Sequence, residues 1–277
     1  MTAWKPPFPE DWQAIVARAL AEDLGTGDLT AVCLPTDPAE WFVEAQAEGV
    51  VCGVEIARSL LAAAGDCEAL ATDGDAVAPG TVVLRGAGSP AQVVARERTA
   101  LNFLMHLSGI ATTTRRYVRA LEGTGATLLD TRKTVPGLRS LAKYAVRCGG
   151  GMNHRMGLYD AAMLKDNHIR AVGDVAAAVA KVRAAISPMT KIEVECATLE
   201  EAVAACDAGA DVLLLDNMTP EQLRAVVGRL GDRIPLEASG GVTLDNIAEI
   251  GATGVHFVST SATTMASQPL ALHLEFA

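Results

Sequence analysis

Aromatic residues are scarce, at 4% of the 277-residue chain, and no C-x-x-C pair occurs among its cysteines at 33, 52, 67, 148, 196 and 206. That spacing excludes a zinc finger or ribbon and predicts free, mostly buried thiols in a reducing compartment. Nowhere do eighteen apolar residues run unbroken, and the opening stretch MTAWKPPFPEDW lacks the apolar core of a secretory signal. The expectation is a soluble cytoplasmic protein. A G-x-S-x-G elbow, a Cys-His pair and a lysine in an apolar pocket are all missing, so covalent catalysis is not indicated. Positive charge is in deficit too: 23 Lys and Arg against 33 Asp and Glu leave a net charge of -10. That balance argues against nucleic acid or an anionic membrane as a partner.

What the chain does have is apolar bulk, 50% of its residues, rich in Ala, Val and Leu. Such a composition suits buried parallel strands packed against helices, in one large or two modest domains. Near the N-terminus, patterning predicts a helix over 11–21 and strands at 41–47 and 50–52 joined by a turn at Glu48 and Gly49. A helix over 53–64, strands at 67–72 and 81–85, and two helices over 91–105 and 110–121 follow. From 127 onward, strands at 127–130, 161–165, 191–195, 211–216, 234–237 and 254–259 alternate with helices at about 138–147, 173–186, 198–208, 219–230 and 243–250. Strict alternation implies a parallel sheet with right-handed crossovers. Polar groups follow nearly every strand and would converge on one mouth, which favours a barrel over an open doubly wound sheet.

The basic residues are concentrated between 128 and 170, where Arg132, Lys133, Arg139, Lys143, Arg147, Arg155, Lys165 and Arg170 face only Asp130, Asp160 and Asp166. A solvated basic face is the ordinary fate of such a run, but these groups sit at strand ends beside glycines. A local cluster of fixed cations in an acidic chain calls for a small anionic ligand carrying carboxylates or phosphates. Glu195 and Asp216 end the strands KIEVE and VLLLD. They suit acid-base work or a divalent cation, magnesium being preferred beside phosphate, with pairing to Lys133 or Lys165 as the structural alternative. Ser239, Gly240 and Gly241 lead toward a helix expected near Thr243, an arrangement that binds phosphate, although a plain turn is as common. Gly149 to Gly151 permit a tight path that sets His154 and Arg155 toward an anion, while a lone histidine is more often a satisfied core residue.

The segments EDLGTGDLT, GVVCGVEIA, ERTALNFLMHLSGIAT, DTRKTVPGLRSLAKYAVRCGGGMNHRMGLYDAAMLKDNHI, IEVE, LLLDN and LEASGGVTLDNI closely resemble the quinolinate phosphoribosyltransferase family. They run in order over nearly the whole chain. The resemblance implies an N-terminal α/β sandwich domain over 1–112 and an open six-stranded β/α barrel over 113–265, with 266–277 packing back on the first domain. It implies transfer of ribosyl phosphate from phosphoribosyl pyrophosphate to the nitrogen of quinolinate, giving nicotinate mononucleotide, CO2 and pyrophosphate with Mg2+, in a homodimer. By the same resemblance Arg132, His154, Arg155 and Lys165 form the dicarboxylate pocket, and Arg98 reaches in from the other subunit. Lys133, Glu195 and Asp216 surround ribose, pyrophosphate and metal, while Ser239, Gly240 and Gly241 form the phosphate loop. One stretch departs: Ser261 and Met265 stand where the family has a phosphate-holding glycine and histidine, with Thr263 and Thr264 adding hydroxyls. That departure keeps two alternatives open, a different pyridine carboxylate or heterocycle as acceptor, and a non-catalytic ligand-binding relative.

Overall fold

The computed structural model describes residues 7–277, so the first six residues of the expected 1–112 domain lie outside the described residues. Along the chain the elements begin α1 (Trp12–Leu24), β1 (Ala39–Ala45), β2 (Gly49–Val50), α2 (Val54–Leu61), β3 (Gly65–Ala69), β4 (Ala76–Val77), β5 (Val82–Gly88) and α3 (Pro90–Ala120). They continue β6 (Thr127–Leu129), α4 (Arg139–Gly149), β7 (Ala162–Leu164), α5 (Asp166–Val172), α6 (Val175–Ala185), β8 (Ile192–Cys196), α7 (Leu199–Asp207) and β9 (Val212–Asp216). The last are α8 (Pro220–Leu230), β10 (Leu236–Ser239), α9 (Ile247–Gly251), β11 (Phe257–Ser259), α10 (Ala262–Met265) and β12 (Leu272–Phe276). Among the described residues two compact units emerge, one of residues 7–115, Thr134–Gly150 and Thr263–Ala277, the other of Arg116–Lys133 and Gly151–Ala262.

The first unit is built on a four-stranded antiparallel sheet in the order β12, β1, β5, β3. Its core joins Trp41, Val43 and Leu84 of the sheet to Ile56 and Leu61 of α2, Leu104, Leu107 and Ile110 of α3, and Leu141 and Val146 of α4. Two expectations need correction here. The stretch 50–52 is not the return strand of a hairpin with β1; β2 pairs instead with β4. Its backbone finds other partners, for Val50 N–H donates to Thr112 Oγ1 at 2.9 Å and Cys52 N–H to Ser108 Oγ at 2.9 Å. The two helices expected over 91–105 and 110–121 are one, since α3 runs unbroken through Ser108 and Gly109. Gly109 is there for closeness, because a Cβ would lie 2.2 Å from the Gln268 carbonyl oxygen.

The second unit is a six-stranded parallel sheet in the order β6, β11, β10, β9, β8, β7. Strands adjacent in sequence are adjacent in space from β7 to β11, and β6 then pairs with β11. The order is therefore that of a barrel cut open at a single seam, between β6 and β7. Capping side chains set several helix starts in ways the sequence shows. Thr219 Oγ1 accepts from Gln222 N–H ahead of Pro220, and Thr198 and Asp174 cap α7 and α6. The helix expected from 243 begins only at Ile247, because Asn246 turns back to accept from Thr243 N–H and to donate to the Gly241 carbonyl. A short helix over 166–172, α5, was not foreseen by periodicity. No described helix is long and apolar enough to cross a membrane.

Candidate active site

Strand alternation decides which side chains reach the inside of the open barrel. In β8, Ile192, Val194 and Cys196 pack into the apolar core, as do Leu236 and Ala238 of β10, Leu213 and Leu215 of β9, and Val258 of β11. The intervening residues take the other face. That face supplies Met163, Lys165, Glu195, Leu214, Asp216, Glu237, Ser239 and Ser259 to one cavity of about 190 Å3. Thr131, Arg132 and Lys133 join it after β6, with His154 and Arg155 from the loop before β7. Because all six strands are parallel, their C-terminal ends share this rim.

Of the expected site residues, Arg132, Lys133, His154, Arg155, Lys165, Glu195, Asp216 and Ser239 line this single cavity. Gly240 and Gly241 continue directly from Ser239 with φ of +97° and +61°. The positive φ of Gly240 is one that L side chains rarely adopt, and a Cβ there would also meet the Asn217 side chain, so glycine suits this turn. Asn217 N–H donates to the Ser239 carbonyl at 2.8 Å, and Ser259 Oγ–H donates to Ser239 Oγ at 3.0 Å, which ties the loop to β9 and β11. Ser261 lies beyond this lining, two residues past β11. Arg98 belongs to the first unit, on α3, where its exposed guanidinium is 3.9 Å from Glu97. Thr263 and Thr264, which the sequence offered as extra hydroxyls, are buried, and Met265 is exposed.

The loop that carries the cations is anchored by carboxylates. Asp130, fully buried, accepts from Asn153 Nδ2–H at 2.6 Å and from His154 N–H at 2.9 Å. Asp160 accepts the amides of Met156 and Gly157 at 2.7 and 2.9 Å. Arg155 Nη1–H donates to the Ala161 carbonyl at 3.0 Å, while its buried Nε has no hydrogen-bond partner. Burial first, and then the charge of Arg132, lower the pKa of the Arg155 guanidinium; Glu193 and Asp160 oppose that shift. Two neighbouring guanidiniums with an unused donor have the chemistry to take an anion. Lys165 Nζ is in direct contact with Glu195 Oε2, the pairing weighed from sequence as the structural alternative for Glu195. Asp216 accepts from Asn217 Nδ2–H at 2.9 Å.

Two glutamates escaped the sequence reading. Glu193 and Glu237 are 5% and 1% exposed on the barrel's inner face, and His154 Nε2 lies 2.9 Å from Glu193 Oε2 and 3.5 Å from Glu237 Oε2. Burial, reinforced by the charge of Glu193, pushes the Glu237 carboxyl up to about 8, against the pull of His154 and Ser259. The signal was present in the alternation: 193 shares its strand face with 195, and 237 shares its face with 239.

An open parallel barrel that gathers cations, carboxylates and a glycine turn at one rim defines an enzyme of anionic, phosphate-bearing substrates. The sequence family described as quinolinate phosphoribosyl transferase matches in both parts, its N-terminal domain over residues 28–108 and its C-terminal domain over residues 110–275. The chain belongs to the quinolinate phosphoribosyltransferase family. A Bacillus subtilis relative named "probable nicotinate-nucleotide pyrophosphorylase (carboxylating)" is 42% identical over 258 residues, 92% of this chain and 89% of its own. The Mycobacterium leprae nicotinate-nucleotide pyrophosphorylase (carboxylating) is 40% identical over 94% of this chain and 95% of its own. Among solved structures, NadC from Streptococcus pyogenes superposes with a TM-score of 0.93 at 35% identity, covering 99% of this chain and 100% of that one.

Proposed function

We infer that the chain transfers ribosyl phosphate from phosphoribosyl pyrophosphate to the nitrogen of quinolinate, forming nicotinate mononucleotide, pyrophosphate and CO2 in NAD biosynthesis. The observation that carries this is the meeting of Arg132, Arg155 and Lys165 with Glu195 and Asp216 in one cavity. The cations take the two carboxylates of the diacid and aim its ring nitrogen. That nitrogen attacks the ribose anomeric carbon as the bond to pyrophosphate breaks. Positive character at the carbon is met by Glu195 and Asp216, with Lys133 on the departing pyrophosphate. Ser239, Gly240 and Gly241 hold the 5′-phosphate through backbone N–H groups, and we assign Ser261, two residues past β11, to the same phosphate. Once the nitrogen is quaternised, the bond from C2 to its carboxylate breaks, CO2 leaves, and the electron pair on C2 takes up a proton.

Magnesium fits the donor chemistry, since Glu195 and Asp216 bring carboxylate oxygens to a cavity meant for phosphates. When bound, the ion neutralises charge on the pyrophosphate. Lys165 balances Glu195 through their contact. We further assign a homodimer in which Arg98 of the partner subunit reaches the diacid. A cytoplasmic setting accords with six free cysteines. The test is direct: purified protein with quinolinate, phosphoribosyl pyrophosphate and magnesium should yield nicotinate mononucleotide and pyrophosphate in equal amounts. Failure to form product with any divalent metal would contradict the assignment.

A further inference from the structure

We propose that Glu193 and Glu237 are positioning residues for His154, gripping its imidazole from inside the barrel so that one fixed edge meets the substrate. This rests on reading the cavity as the quinolinate site. Both carboxyls are buried, and each leaves its Oε1 without a hydrogen-bond partner. Their Oε2 atoms are turned to the same nitrogen, at 2.9 and 3.5 Å from His154 Nε2. A buried carboxylate is costly without a donor, and for Glu193 the donor at hand is the imidazole edge at 2.9 Å, with Glu237 closing the other side at 3.5 Å.

The other side of the ring fixes its protonation. Arg155 N–H donates to His154 Nδ1 at 2.7 Å, so Nδ1 keeps its lone pair and the ring proton sits on Nε2, facing the glutamates. The three groups place their ligand atoms within 4.8 Å of one another, a spacing that also suits a metal ion. Protonated Nε2 has no lone pair to give, so the cluster is a hydrogen-bonded one. With both nitrogens engaged in the protein, His154 meets the diacid as a rigid wall of the cavity. The carboxylate charge falls to Arg132, Arg155 and Lys165.

A double-substitution cycle tests this on the full chain, with wild-type turnover of quinolinate as the separate control for the underlying activity. Glu193→Leu frees the imidazole and should raise the KM for quinolinate about tenfold, the effect of a displaced cavity wall rather than of a lost bond to the substrate. It should leave kcat and the KM for phosphoribosyl pyrophosphate within about twofold, and in a His154→Ala background it should add less than about twofold. Glu193→Gln, which keeps an acceptor oxygen, should recover most of the affinity. An unchanged KM, a rise shared by both substrates, or an equal rise without His154 would overturn the proposal. Should Glu193→Leu not fold, nitrogen NMR of histidine-labelled wild-type protein decides, with the His154 signal identified by its loss in His154→Asn. A proton on Nε2 and none on Nδ1 is expected; a proton on Nδ1 at neutral pH would overturn it.

Discussion

Burial, and then the charge of Arg132, lower the pKa of the Arg155 guanidinium, so an anion in the cavity favours its charged form. Lysine keeps the charge but loses the planar fork. Arg155→Lys should raise the KM for quinolinate by about tenfold or more, and an unchanged value would show that the fork is not used. Glu237 gives a prediction in pH. Its carboxyl titrates near 8 in the folded chain against an ordinary value of 4.5, so between those limits the folded state holds the extra proton. That stability is complete below about 4.5 and declines as pH rises toward 8. Glu237→Gln removes the dependence, and its melting temperature should gain on the wild type as pH goes from about 6 to about 8.5. A constant difference across that range would contradict the buried carboxyl pair. At this scale the sequence showed the exposed chemistry and missed the buried. Glu195 and Asp216 stood out as strand-end carboxylates, whereas Glu193 and Glu237 lay inside apolar runs, and only their period-two relation to 195 and 239 marked them.

Among the elements, α3 shows where periodicity misleads. Serine and glycine at 108 and 109 read as a break, yet Ser108 Oγ accepts from Cys52 N–H at 2.9 Å and donates to its carbonyl at 3.2 Å, and Gly109 admits the chain at Gln268. Those partners are 56 and 159 residues away in sequence, beyond any local pattern. In an exposed helix interior Gly→Ala stabilises by about 1 kcal/mol. Here the sign should reverse: Gly109→Ala should lower the melting temperature, and a rise would refute the close approach. Asp73 plays a similar long-range part. One oxygen accepts the amides of Gly53 and Val54 at the start of α2, each at 2.9 Å, and the other accepts the Tyr144 hydroxyl of α4 at 2.8 Å. Asp73→Ala should cost about 1–2 kcal/mol in denaturant unfolding, the range of a lost cap. The parallel strands and their helices were legible because each carries its own caps and alternation. The pairing of β2 with β4 was not, because two-residue strands carry no period.

For the molecule as a whole, chain order carried the architecture. Five of the six parallel strands follow one another in space as they do in sequence, and β6 sits beside β11. The seam between β6 and β7 falls where the chain leaves the second unit for the segment Thr134–Gly150 of the first. The assignment of Arg98 to a partner's site makes a prediction of its own. Arg98→Ala and Lys165→Ala proteins, each inactive alone, should regain part of the activity when subunits are exchanged by mixing, and no recovery would argue against a shared site. The central claim is that one cavity at the barrel rim receives the diacid between Arg132, Arg155 and Lys165. Diffraction from crystals soaked in quinolinate tests it most directly. The two carboxylates should appear within hydrogen-bonding distance of those three side chains, with Arg155 Nε or its neighbours among the donors; quinolinate bound elsewhere, or turned away from Arg155, would contradict the account.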